Sequence, residues 1–375
     1  PINTLNWDNN LIGYFPFSHV RGNCLFNAST YSNYNGRLYN TSNASIEGQT
    51  APLPYKTANS GNWESAGTWV NGSVQNVPGH TSLKNSSLQV VSNIVEIDHN
   101  VTMDNSLLTA IGSHKNRSLL ALFVDANKLT VTGTNGSSGN GLTVTHYLSL
   151  DGTIDLNGES QLIQTDESDL RVGNLGKLER DQQGTKDLYT YNYWSSPVGL
   201  TSMAQNNVSF GYKLPNVMKN GANPSIPNTI NFVNGYNGSI SGSSISIASY
   251  WIWKFANRPD DDYTSWQHIR HTGDLNPGEG FTMKGVSNTN GSVSQEQNYV
   301  FNGKPNNGDI ALDLYANHDY LVGNPYASAI DGRQFILDNG PTIDGTGNTT
   351  GTLYFWEHWG GGSHILAEYQ GGYAT

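Results

Sequence analysis

Short apolar pieces separated by polar corners run through the first half of the chain. Val90-Val91, Ile94-Val-Glu-Ile97, Val101-Thr-Met103, Leu119-Leu-Ala-Leu-Phe-Val124, Leu129-Thr-Val131, Leu142-Thr-Val144, Leu148-Ser-Leu150, Ile154-Asp-Leu156 and Leu162-Ile163 are each two to six residues long. They recur every 6–13 residues or so with Gly or Asn between them, which predicts strands rather than helices. Two architectures fit this spacing: stacked rungs of a β-helix or solenoid, or an ordinary sandwich with tight hairpins. Both are all-β.

The same pattern divides the chain. Residues 1–60 carry isolated patches such as Leu11-Ile-Gly-Tyr-Phe-Pro-Phe17 among Asn, Ser and Gly, and read as an extended segment with short strands. Residues 61–165 form the β-helix-like or sandwich domain, and the charged stretch 166–187 reads as a connector. Residues 188–375 read as an aromatic-rich β-sandwich region in which Tyr250-Trp-Ile-Trp-Lys-Phe255 alternates as a half-buried strand does.

A weak internal repeat runs through this second half, over 188–317 and 318–375. Tyr191-Asn-Tyr-Trp-Ser-Ser-Pro-Val198 parallels Tyr320-Leu-Val-Gly-Asn-Pro-Tyr326, and Tyr250–Phe255 parallels Leu353-Tyr-Phe-Trp-Glu-His358. Pro277-Gly-Glu-Gly-Phe-Thr-Met283 has no counterpart in the second copy before Thr375. The expectation is a mature chain or a fragment whose last sheet has a vacant edge, a template for strand addition.

Composition supports the strand reading and narrows function. Only 13% of residues are charged, 36% are hydrophobic and 11% aromatic, a mixture that argues against both a helical bundle and disorder. A net charge of −11 argues against neutralising nucleic-acid phosphates or coating an anionic membrane. No apolar run is long enough to span a bilayer. The single cysteine, Cys24, excludes an intrachain disulfide framework and a Cys-based zinc site.

Candidate chemistry is thin. P-loop, nucleophile-elbow and His-Glu-x-x-His patterns are absent, so no catalytic residue is assigned and no cofactor expected. His268 with His271, and Glu357 with His358 and His364, have spacings compatible with a metal, and Asp260-Asp-Asp262 could hold Ca²⁺ in a turn. Glu159, Asp166, Glu167, Asp169, Glu357 and Glu368 are the carboxylates a glycosidase could draw on. Trp356, Trp359 and Tyr369 around Gly360-Gly-Gly362 are candidate glycan contacts, since aromatic rings stack on sugars. Asn27, Asn40, Asn43, Asn71, Asn85, Asn100, Asn116, Asn135, Asn207, Asn237, Asn290 and Asn348 head N-glycosylation sequons, a number close to what the Asn, Ser and Thr content alone produces.

Several strings carry a family resemblance: Ser160-Gln-Leu-Ile-Gln164, Leu178-Glu-Arg-Asp-Gln-Gln-Gly184, Tyr191–Val198, Pro277-Gly-Glu-Gly-Phe281, Phe301-Asn-Gly-Lys-Pro-Asn-Asn-Gly308 and Leu321-Val-Gly-Asn-Pro-Tyr-Ala-Ser-Ala-Ile-Asp331. From about Trp63 onward the chain resembles the large extracellular surface proteins of Bacteroidota exported by the type IX secretion system. The resemblance implies an extracellular or cell-surface location and roles in adhesion, gliding or filament formation. It implies no catalytic residues, and the sorting domain usual in that family is not seen here.

The leading expectation is therefore a structural subunit of an extracellular fibre, partnered by copies of itself. An extended segment within Pro1–Phe17 would complete a neighbour's sheet, with Leu5, Trp7, Leu11 and Ile12 filling pockets. The alternative is a monomeric adhesin or carbohydrate-binding module whose partner is a polysaccharide or cell-surface glycan. A polysaccharide-degrading enzyme ranks third.

Overall fold

A computed structural model describes residues 11–15, 20–21, 24–27, 29, 31, 33–37, 54–70, 72–73, 76–82, 85, 87–104, 116–201, 211–287, 295–341, 347, 349–360 and 362–374. Two compact units divide at Pro54 and Tyr55. Strand occupies 42% of the structure and helix 8%, so the chain is all-β.

In the first unit the strands Val20–Arg21, Cys24–Leu25 and Gly36–Arg37 pair antiparallel. Asn27 is buried and organises the surrounding loop. Its Nδ2 donates to the carbonyls of Ile12 (2.8 Å) and Tyr31 (2.9 Å), and its Oδ1 accepts from the amides of Tyr14 and Ser29.

The second unit begins with a parallel solenoid. Five rungs are seen among the described residues, each contributing a strand to two sheets. The pairs are Tyr55–Lys56 with Gly61–Asn62, Ile94–Ile97 with Val101–Met103, Arg117–Val124 with Lys128–Val131, and Gly141–Leu150 with Thr153–Leu156. The fifth rung has Gln161–Gln164 and Asp169–Val172 on one side and Lys177–Thr185 on the other. Every lateral pairing between rungs is parallel.

The pleat explains the core. Alternate side chains point inward, and the parallel register stacks them into columns. Val101, Leu129, Ile154 and Leu178 make one column, and Ile97, Val124, Leu150 and Val172 another. All eight are buried. Trp63 and Trp69 pack edge-on in the same core near the first rung, 5.0 Å between centroids. The Trp63 indole N–H donates to the Pro78 carbonyl and that of Trp69 to the Trp63 carbonyl.

Asp, Asn and Gly sit at the corners because the chain must turn within two to four residues there. Asn127 takes a left-handed φ of 62° and donates to the Asp98 carbonyl of the preceding rung (2.6 Å). At Gly152 a β-carbon would lie 2.6 Å from the Asn127 carbonyl oxygen, so the next rung can pass only with glycine in that position.

Residues 166–187, expected to be a connector, instead form part of the fifth rung. Asp169–Val172 alternates outward charge with inward Leu170 and Val172, a period-two pattern masked by its charged members. In Lys177–Thr185, Glu179 is buried but lies 2.6 Å from the Lys128 ammonium and 2.8 Å from that of Lys177. The solenoid also starts at Tyr55, within the segment expected to precede it.

Lys177–Thr185 is also where the sheet changes character. Its other edge pairs antiparallel with Glu296–Pro305, which in turn pairs with Met218–Asn220. Beyond it lie several smaller sheets. One is four-stranded, in the order Tyr191–Trp194, Phe281–Lys284, Trp253–Lys254, Gln267–His268. The sequence-equivalent aromatic strands are paired differently: Trp253–Lys254 lies inside that sheet, whereas Phe355–Gly360 makes a hairpin with Gln370–Ala374. No helix among the described residues is long and apolar enough to cross a membrane.

Candidate functional site

Alternation in the four-stranded sheet builds one wall of a cleft. Along Tyr191–Trp194, Tyr193 is exposed while Trp194 enters the core, and on the neighbouring strand Phe281 and Met283 are buried beside it. The register sets Tyr193 opposite Thr282, Thr282 opposite Trp253, and Trp253 opposite His268. This cross-strand row carries the Trp253 ring on the open face, with His268 stacked on it at 4.1 Å and 15°.

A second wall is a short acidic turn. The Asp262 carboxylate accepts from the Thr264 amide (2.8 Å) and hydroxyl (2.6 Å), which starts the single 3₁₀ turn Tyr263–Ser265. These bonds hold the Asp262 carboxyl below its ordinary pKa, so it stays charged. Tyr263 is 73% exposed, and Trp266 packs edge-on against Phe255 at 5.4 Å.

The third wall is the Phe355–Gly360/Gln370–Ala374 hairpin, where Trp356 lies opposite Tyr373 with ring centroids 4.9 Å apart. Two polar ties fasten it to the chain around Tyr191. The Tyr369 hydroxyl accepts from the Tyr191 amide (2.9 Å) and donates to the Tyr189 carbonyl. His358 Nδ1 lies 3.1 Å from the Thr190 hydroxyl, which donates its own proton to Asp187. The Thr190 oxygen can therefore only accept, and the imidazole proton sits on Nδ1.

The three walls bound an open cleft of about 1200 Å³. Its lining is mostly Tyr, Trp and Phe; among the described residues Asp261, Asp262 and Asp319 supply its carboxylates, and neither Lys nor Arg lines it. Behind the rings lies Lys284, 2% exposed, its ammonium 3.8 Å from the Trp251 ring centroid, 4.5 Å from that of Tyr191 and 3.4 Å from His364 Nδ1. Burial pushes its pKa down to about 8, against a smaller upward pull from Asp187. Burial likewise lowers the pKa of His358 and His364 and raises those of Tyr191 and Tyr369.

Of the candidate glycan contacts, Trp356 and Tyr369 both line the cleft; the Trp359 side chain lies outside the described residues. Alternation in Tyr191–Trp194 and Tyr250–Phe255 was the available signal for the remaining rings. The structure corrects one strand: Tyr250 and Trp251 lie in the 3₁₀ turn Ser249–Trp251, and only Trp253–Lys254 is extended in the sheet. What the sequence could not supply was that these rings converge with Tyr263 and Tyr373.

The other candidates are dispersed. His268 stacks on Trp253, whereas His271 stacks on Phe232 and meets the Ser249 hydroxyl. Glu357 is exposed while His364 stacks on Trp251. No group of three His, Cys, Asp or Glu comes together to hold a metal among the described residues. Glu159 caps the Gly136 amide, and Asp166 and Asp169 line a separate, smaller cavity of about 320 Å³. Leu11 is half-buried and Ile12 exposed; Leu5 and Trp7 lie outside the described residues. Among the sequons, Asn85, Asn100, Asn116, Asn135 and Asn237 are exposed and Asn27 is buried with its amide nitrogen engaged. Asn40, Asn43, Asn71, Asn207, Asn290 and Asn348 lie outside the described residues.

A family model described as a domain of unknown function (DUF8693) matches residues 233–373. That span holds two of the three walls, and Tyr191 and Tyr193 precede it. No curated protein and no solved structure matches the chain.

Proposed function

We propose that the protein is a carbohydrate-binding surface protein that holds a polysaccharide in the aromatic cleft. The observation that carries this reading is the convergence of solvent-facing Tyr193, Tyr263, Trp356 and Tyr373 from three separate elements on one open cavity. Exposed aromatic rings are costly to leave in water singly and more so in a patch, and such patches mark binding sites. Pyranose rings present flat C–H faces that stack on aromatic rings, while their hydroxyls suit the Asp and Thr groups at the margin. An extracellular location, implied by the sequence resemblance, is where such a ligand would be met.

Binding without chemistry is favoured over hydrolysis. A glycosidase needs one carboxyl whose pKa is raised so that it can donate a proton. Asp262 is shifted the other way by its bonds from Thr264, which suits holding a ligand better than donating a proton.

Affinity electrophoresis through gels containing soluble neutral polysaccharides tests the reading. Retardation of the wild-type chain by at least one β-glucan, mannan or xylan is expected, with Tyr263→Ala or Trp356→Ala weakening it roughly tenfold. Equal mobility of wild type and both variants in every gel would refute it.

A further inference from the structure

We propose that the cleft selects cationic, amino-sugar-containing polysaccharides over acidic ones. The proposal rests on the carbohydrate reading and adds the charge of the ligand to it.

Three observations point the same way. Among the described residues the carboxylates at the cleft are Asp261, Asp262 and Asp319, and no Lys or Arg offsets them within the lining. Asp262 is fixed in its charged form by two hydrogen bonds from Thr264. Most of the remaining lining is aromatic, and ring faces carry a negative quadrupole that attracts an ammonium group. Carboxylates and ring faces therefore reinforce each other toward a cation and both oppose a uronate.

The nearby cations do not reverse this. Lys284 lies behind Trp251 and Tyr191, enclosed by their rings, and does not line the cleft. Arg258 is opposite Asp319 in a two-residue antiparallel pair, and it too lies outside the lining. A glucosamine unit would stack its ring on an aromatic face and turn its ammonium toward an Asp. An N-acetylated unit keeps the stacking and loses the charge.

The test compares glucosamine oligomers with N-acetylglucosamine oligomers of the same length, and with oligogalacturonate, by calorimetric titration at mildly acidic pH. The amine is protonated there. The wild type should bind the glucosamine oligomer roughly tenfold more tightly than the acetylated one, and oligogalacturonate most weakly of all. High salt should erase the preference, because exposed charges are screened beyond about 10 Å at 0.1 M ionic strength. The triple variant Asp261→Asn/Asp262→Asn/Asp319→Asn should lose the preference and bind the two oligomers about equally. Equal binding of both oligomers, each abolished by Trp356→Ala, would overturn the charge proposal and leave the carbohydrate reading standing. Tighter binding of oligogalacturonate would also overturn it. Failure of every oligomer and polymer to bind would remove both.

Discussion

Lys284 offers a quantitative test of how the aromatic cluster behind the cleft is held together. The residue is 2% exposed, no carboxylate among the described residues pairs with its ammonium, and its pKa falls to about 8 from an ordinary 10.5. At about 1.36 kcal/mol per pKa unit, that shift corresponds to at most about 3 kcal/mol of folding free energy lost at neutral pH. Desolvation outweighs the favourable contacts with the ring faces of Trp251 and Tyr191, and Lys284→Met should stabilise the chain at neutral pH by about 1–3 kcal/mol. The pH dependence is the sharper signature. A lysine whose folded pKa is depressed carries its full penalty below about pH 8 and is relieved as pH rises to 10.5. Urea unfolding followed by tryptophan fluorescence should therefore show the wild type gaining on Lys284→Met across that interval, the other titrating groups cancelling in the difference. A variant less stable than wild type by the same amount at every pH would refute the balance.

Other consequences follow from the solenoid. Ile154→Ala opens a cavity in a fully buried column between Leu129 and Leu178 and should cost about 2–5 kcal/mol in denaturant unfolding; a cost below about 1 kcal/mol would contradict the stacking. Asp155 has its pKa raised to about 6, chiefly by burial. The stability it contributes is complete below about pH 4 and lost as pH rises through 6, so Asp155→Asn should flatten the unfolding midpoint across that range, and an unchanged profile would contradict the assignment. Asn127→Ala should cost about 1–2 kcal/mol through its left-handed backbone and its bond to Asp98, and Asn127→Gly less than that; equal losses would show that the side-chain bond alone matters.

Much of the solenoid was legible in the residues because its logic is local. Val101, Leu129 and Ile154 each sit in a short apolar piece bounded by Asn, Asp or Gly, and those pieces are the strands. Periodicity could not decide between solenoid and sandwich, since inward alternation is common to both and only the parallel register distinguishes them. The fifth rung was read only in its first strand, around Leu162-Ile163; its far side was missed because Glu179 and Asp181 are buried charges, tolerated there through Lys128, Lys177 and the Gly158 amide. Nothing within Lys177–Thr185 reveals Lys128 as a partner 51 residues away. The cleft was half legible. Trp356 and Tyr369 stood out beside a glycine run, whereas Tyr193, Trp253 and Tyr263 become a site only through pairings between segments far apart in the chain.

The account's central claim is that rings from three elements form one carbohydrate site. Calorimetric titration of the best-bound neutral oligosaccharide into the wild type, Tyr193→Ala, Tyr263→Ala and Trp356→Ala measures this most directly, because each substitution removes a ring from a different wall. The account predicts that all three weaken binding, with affinity rising along an oligosaccharide length series until the cleft is filled. Wild-type affinity in all three variants would contradict it and place any sugar site elsewhere on the chain.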